Sequence, residues 1–195
     1  MHIGAAMGIN VATVFSEFGG KQGLYVQALE KYEAQKVPLF IGALERPGAN
    51  LQTVLQVLRD FARFAESGTG AGCLITNSAI EFAPDPHRSQ DALTRYLERL
   101  QSAYARALSA SLTTSTPSTH ELQAVQHQSR SLAACTIGLF VMIRAKVAPE
   151  IVLDAAEGTI STLLSALRAA SAVEGTTAGH HRPIAPGITA ATSAT

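Results

Sequence analysis

Charge is scarce in this sequence. Acidic and basic residues together make up 15% of the 195 residues, against roughly 25% in an average soluble domain. So thin a charge coat points to apolar surface covered by another copy of the chain. No sign dominates either: 15 basic residues face 15 acidic ones, so no global field draws in nucleic acid. Any DNA contact must rest on locally concentrated positive charge. Cysteine is nearly absent. Cys73 and Cys135 are too few and too far apart for a disulfide framework, and no Cys/His cluster has zinc-site spacing. They read as free thiols of a helical core in a reducing cytoplasm. Long apolar runs are missing as well. The longest, Leu132 to Ile143 between Arg130 and Arg144, falls short of the ~20 residues that cross a bilayer, and a buried or interface helix fits it better. The opening MHIGAAMGIN lacks a charged segment followed by a long apolar one, so no signal peptide is read. The expectation is a cytoplasmic protein with no membrane partner.

What is present is helix after helix, punctuated by glycine and proline. Asn10 is placed to cap a short helix reaching about Phe18, and Gly19-Gly20 breaks the pattern. Lys21 opens a longer helix, whose apolar positions Leu24, Ala28, Tyr32 and Val37 recur at helical spacing. Pro47-Gly48 marks a turn and Asn50 caps the next helix, where Leu51, Val54, Leu55, Leu58, Phe61, Ala62 and Ala65 form a wide stripe. Residues 73–83 make a short, almost wholly apolar helix, expected to be buried on several sides, before Pro84-Asp85-Pro86. Leu93, Leu97, Leu100, Tyr104 and Leu108 trace one face of a helix within 87–112. Ser118 or Thr119, with Glu121, offers a capping box for a helix over about 120–147, and Pro149 starts the last one. Beyond about 172 periodicity ends, which reads as a disordered tail. Nothing alternates like a strand, so the fold class is all-α. Three regions follow: a head over 1–36, a body over 37–171 and the tail over 172–195.

The informative stretch is IGAAMGINVATVFSEFGGKQGLYVQALEKY, residues 3–32. Ala5 and Ala6 permit close helix packing, Gly8 suits the left-handed end of a first helix, and Ile9 docks into the turn. That arrangement is a helix-turn-helix, whose second helix can lie in the major groove. Ile3, Ala6, Gly8, Ile9, Asn10, Ala12, Thr13, Val14, Phe15, Phe18, Gly20, Lys21, Gln22 and Leu24 stand, without a gap, where the TetR family of transcriptional regulators carries I-A-x-x-A-G-V-S-x-G-T-L-Y-x-H-F-x-S-K-E-x-L. The sequence resembles that family over roughly residues 2–171, and GCLITNSAIEFAPDP, residues 72–86, is similar to a segment common in one broad branch of it.

The resemblance implies a homodimeric repressor with two heads in successive major grooves of a palindromic operator. A small-molecule effector bound in the body would favour a head spacing that no longer matches the half-sites. No cofactor, metal or catalytic activity is implied. Thr13 and Lys21 would touch phosphates, as would the family's aromatic hydroxyl at position 15, while Val11, Ala12 and Ser16 would face bases. Backbone amides at the start of the helix opened by Lys21 would add an anion site. The effector pocket would draw on Phe61, Phe64, Asn77, Ile80, Glu81, Phe82, Tyr96, Leu100 and Tyr104, each of which also suits an ordinary core. Asn77 and Glu81, one turn apart in a very apolar helix, are the most pointed of these. The last two helices would pair with their copies as a four-helix interface, with Ala134, Gly138, Ala155 and Gly158 allowing close approach.

The departures matter too. Phe15 lacks the family's hydroxyl, and Glu17 stands near where phosphates would run. Lys21, Lys31 and Lys36 are balanced by Glu17, Glu30 and Glu33, and the family's first helix is absent, leaving the head incomplete. A misassigned start, a shortened relative and a degenerate head all fit. The second reading is therefore a dimeric small-molecule-binding or interaction protein that has lost DNA binding. His120 and His127 read as solvent-facing residues, and Asp85 and His87 lack the nucleophile elbow of a hydrolase.

Overall fold

The computed structural model describes residues 4, 6, 8, 10–68, 70–81, 89–112 and 116–177. Its helices are α1 (Val11–Glu17), α2 (Lys21–Gln35), α3 (Val37–Glu45), α4 (Leu51–Glu66), α5 (Leu74–Glu81), α6 (Ser89–Ser109), α7 (Thr119–Arg144) and α8 (Pro149–Thr177). Among the described residues there is no strand, and the fold is all-α. No helix among them is long and apolar enough to cross a membrane.

The caps explain where the helices begin. The Asn10 side chain accepts from the Ala12 amide at 2.8 Å and starts α1. Asn50 and Thr53 form a reciprocal capping box on α4, and Ser118 and Glu121 form another on α7. The bundle is built from α4, α6, α7 and α8, with α6 against α7, and α8 against both α4 and α7. α4 turns Val54, Leu55, Val57, Leu58, Phe61 and Ala62 inward, as its stripe predicts. Burying side chains such as Leu58 and Phe61 contributes about 1.5–3 kcal/mol each. Phe140 of α7 meets the Phe40 and Phe61 rings edge-on, with centroids 5.0 and 4.9 Å away.

Four expectations change. The helix opened by Lys21 does not run through Val37: α2 stops at Gln35 and α3 starts at Val37, with Pro38 in its first turn. Pro38 has no N–H to give the Ala34 carbonyl and its ring would collide with it, so one continuous helix is excluded. The face of α2 also differs, since Leu29 is buried and Ala28 exposed. α5 is not enclosed on several sides: Ile75, Thr76 and Ser78 are buried, whereas Ile80 is 64% exposed and Glu81 faces solvent. At the other end α8 continues to Thr177, past the expected end near 171, in keeping with the helix-favouring Ala169, Ala170 and Ala172.

The segment between α4 and α5 is fixed from outside. Lys146, two residues beyond α7 at φ 58°, donates from Nζ to the carbonyls of Gly68 at 2.8 Å and Gly70 at 3.1 Å. Gly70 itself is buried against α7, where a side chain would collide with Ile143.

Candidate functional site

Two places gather the residues singled out by the sequence. The first is the head. α1 buries Val14 and leaves Ala12, Thr13, Ser16 and Glu17 exposed, while Val11 and Phe15 are half-buried. Gly19 and Gly20, at φ 69° and 99°, turn the chain sharply into α2, which places exposed Lys21 at its first position. Ala12 with Ser16, and Thr13 with Glu17, are spaced as neighbours along the helix surface. α1 thus presents a small, uncharged face beside a cationic helix start, with Glu17 as the discordant charge. Pro84, Asp85, Pro86, His87 and Phe82 lie outside the described residues, as does the tail from 178.

The head is tied to the body through α2. The Tyr25 hydroxyl donates to Ser78 Oγ on α5, and Ser78 in turn donates to the Leu74 carbonyl. Further along α2, Arg95 of α6 lies 3.6 Å from Glu33. Burial, first of all, raises the Tyr25 phenol above its ordinary range.

The second place is the core around α5 and α6. Phe61, Tyr96, Leu100 and Tyr104 are buried and Phe64 is half-buried. Asn77 is half-buried and uses its amide to donate to the Ala71 carbonyl at 3.1 Å, so it fastens the turn before α5. Ile80 and Glu81 point to solvent, away from this core. The aromatic members Phe61, Phe64, Tyr96 and Tyr104 thus belong to the one hydrophobic core, and those two stand outside it.

Four residues not among the predicted ones complete the cluster. Tyr104 Oη and Thr136 Oγ1 of α7 are 2.8 Å apart, and Thr136 also donates to the Leu132 carbonyl. Cys73, just before α5, is 1% exposed and sits beside both the Tyr32 and Tyr96 phenols. Burial, with the Cys73 thiol adding to it, pushes Tyr32 up to about 12. Burial likewise drives Tyr96 and Tyr104 well above the ordinary phenol range, so all three rings are neutral. Thr76 Oγ1 and Tyr96 Oη are buried without a hydrogen-bond partner of normal geometry, the thiol beside Tyr96 being only a weak one. Thr76 and Cys73 carried a signal in the sequence, one turn apart beside Asn77; Tyr32 and Thr136 looked like routine stripe residues.

A separate recess of about 550 Å³ opens where the ends of α6 and α8 meet the starts of α4 and α7, lined by Leu51, Leu112, Glu121, Leu164 and Arg168. It includes none of the predicted pocket residues. On the outer face of α7 and α8, Ala134, Gly138 and Gly158 are exposed, Ala155 is half-buried, and Val141, Ile151 and Leu153 leave apolar surface open. His120 and His127 are exposed. Among the described residues no group of three His, Cys, Asp or Glu side chains is arranged to hold a metal.

The described residues form an all-α bundle with a short exposed helix joined to α2 by the Gly19-Gly20 turn. Ile3, Ala5 and Ile9, read as part of the first helix and turn of a helix-turn-helix, lie outside the described residues. The fold is that of the TetR regulators: the chain is similar to a solved cysteine mutant of the TetR family transcriptional regulator CifR, described both as apo protein and complexed with 26-base-pair double-strand operator DNA. The TM-score is 0.64 at 22% identity, over 81% of this chain and 82% of that one. No protein-family model and no curated protein matches the sequence.

Proposed function

We propose that this chain is a DNA-binding transcriptional regulator of the TetR type, a cytoplasmic homodimer that represses from a palindromic operator until a small-molecule effector releases it. The observation that carries the reading is α1, a solvent-exposed helix set by the Gly19-Gly20 turn against α2, in a fold shared with a regulator solved on its operator. On DNA, Ala12 and Ser16, with the accessible part of Val11, face base edges, while Thr13 and Lys21 meet phosphates. Phe15 supports the same docking by packing, without a hydroxyl to give a phosphate.

The homodimer is supported by the small-residue face of α7 and α8. A Cβ added at Gly138 or Gly158 would meet nothing within 4 Å in the protomer, so both positions are open to a partner. Effector control draws on the core between α5 and α6. That core is linked to α2 by the Tyr25–Ser78 hydrogen bond and the Glu33–Arg95 pair, so ligand-induced movement of α5 has a physical route to the head.

A second reading, a dimeric ligand-binding protein that has lost DNA binding, is favoured by one observation: Glu17 is exposed on the same α1 face as Thr13. Fluorescence anisotropy of the full chain on duplex from its own promoter region, with a scrambled duplex as control at low and physiological salt, decides between them. Selective binding that weakens steeply with salt is the expected result. A folded dimer that binds both duplexes equally, or neither, overturns the regulator in favour of the second reading.

A further inference from the structure

We infer that the core around Tyr96 takes an uncharged ligand bearing a hydrogen-bond acceptor, such as a ketone on an aromatic or apolar frame. This names the effector class for the site proposed above and rests on that reading for its regulatory meaning. Its starting point is the pair of orphaned hydroxyls, Thr76 Oγ1 on α5 and Tyr96 Oη on α6, in residues 3% and 1% exposed. Buried polar groups are nearly always paired, and each exception needs an explanation.

This fold pairs a buried phenol where only packing is at stake. Tyr104, two turns beyond Tyr96 on α6, has its hydroxyl matched to Thr136 Oγ1 at 2.8 Å. Tyr96 is buried as deeply and is left with the Cys73 thiol, a weak partner. Thr76 stands in the first turn of α5, three residues after Cys73, and α5 packs on α6 as well as on α2 and α7. The two hydroxyls thus lie on helices that pack on each other, with the Cys73 thiol beside Tyr96 and Leu100 one turn after it.

The charges around the seam decide the ligand's charge. Arg99 is held by Glu45, and Arg95 by Glu33. Asn77 is committed to the Ala71 carbonyl. Among the described residues these ion pairs leave no free counter-ion there for a carboxylate or ammonium ligand, and an unpaired buried charge is costly. A neutral acceptor oxygen suits two hydroxyls of which one has no partner and the other only a thiol beside it. Entry requires α5 to shift, and α5 is a helix of eight residues whose last two, Ile80 and Glu81, face solvent.

The test titrates acetophenone, ethylbenzene and benzoate into the full chain without DNA. Tyrosine emission is the readout, because the chain has no tryptophan and Tyr32, Tyr96 and Tyr104 are three of its four tyrosines. Acetophenone should bind about tenfold tighter than ethylbenzene, the worth of a hydrogen bond to an otherwise unpaired group, and benzoate no tighter than ethylbenzene. Tyr96→Phe should remove the ketone's advantage without lowering the Tm, since the hydroxyl it deletes has only the weak Cys73 thiol beside it. Equal binding of ketone and hydrocarbon to the unmodified chain, absence of binding by both, or a lowered Tm for Tyr96→Phe overturns the inference. A chain that prefers the ketone yet shows no operator selectivity sustains this inference and overturns the regulator reading.

Discussion

Arg99 grips Glu45 with both arms of its guanidinium: Nε lies 2.6 Å from Oε1 and Nη2 lies 2.8 Å from Oε2. The pair joins the middle of α6 to the last residue of α3 and is about two-thirds shielded from water. Bidentate geometry of this kind exceeds a surface ion pair in strength.

Glu45→Gln should therefore lower stability by about 1–2 kcal/mol, which corresponds to roughly 2–8 °C in Tm for a chain of this size. The Arg99 hydrogen bond, first among the causes, holds the folded-state carboxyl of Glu45 below its ordinary 4.5. A lowered carboxylate pKa contributes stability above the unfolded value, and that contribution fades as pH falls through the folded one. Thermal melts of the two proteins should differ most near neutrality and converge below pH 4.5. A gap that persists unchanged in acid would refute the ion pair as its source.

Gly70→Ala should destabilise by about 1–3 kcal/mol through overpacking, because its new methyl would overlap Ile143 and press on the Phe64 ring at 3.2 Å. Combined with Ile143→Ala, the loss should be smaller than the sum of the single losses. Urea unfolding of the four proteins measures this coupling, and strict additivity would count against the contact.

Gly138→Leu tests the proposed dimer. The added side chain meets nothing in the protomer, and a helical glycine replaced by leucine gains about 0.8 kcal/mol of helix propensity. The variant should fold and sediment as a monomer at concentrations where the parent is dimeric. An unchanged sedimentation coefficient would place the interface elsewhere.

On DNA, Lys21→Ala should weaken binding to every duplex alike and reduce the salt slope by about 1. Phe15→Tyr should tighten it several-fold if α1 docks as proposed, by adding a hydroxyl to a half-buried ring on that helix. Anisotropy titrations at three salt concentrations read both effects, and an unchanged slope for Lys21→Ala would remove that residue from the contact.

Much of the fold was legible because its signals are local. Asn10, Asn50 and Ser118 cap where their side-chain chemistry requires, and the stripe of α4 is buried as its spacing implies. The break at Lys36 was just as local, since Pro38 forbids continuation, yet the period of Leu24 and Tyr32 masked it. The core was legible in part. Phe61, Tyr96, Leu100 and Tyr104 announce burial by their type and spacing, but the direction in which α5 faces depends on what packs against it. Ile80 and Glu81 are therefore outside, whereas Thr76 and Cys73 are inside. The Tyr104–Thr136 pair joins residues 32 apart in sequence, and no helical period relates them.

The interruption at Lys36 gives the head a short lever instead of a long shaft. From that joint to Lys21 the fifteen residues of α2 span about 22 Å at ~1.5 Å each. A tilt of about 10° there would carry Lys21 sideways by about 4 Å, and twice that between two symmetric heads, against roughly 34 Å for one turn of DNA. A ligand acting beside Tyr25 and Tyr32 would push on the lever along its own length. The bundle of α4, α6, α7 and α8 could then stay still while the reach between heads changes.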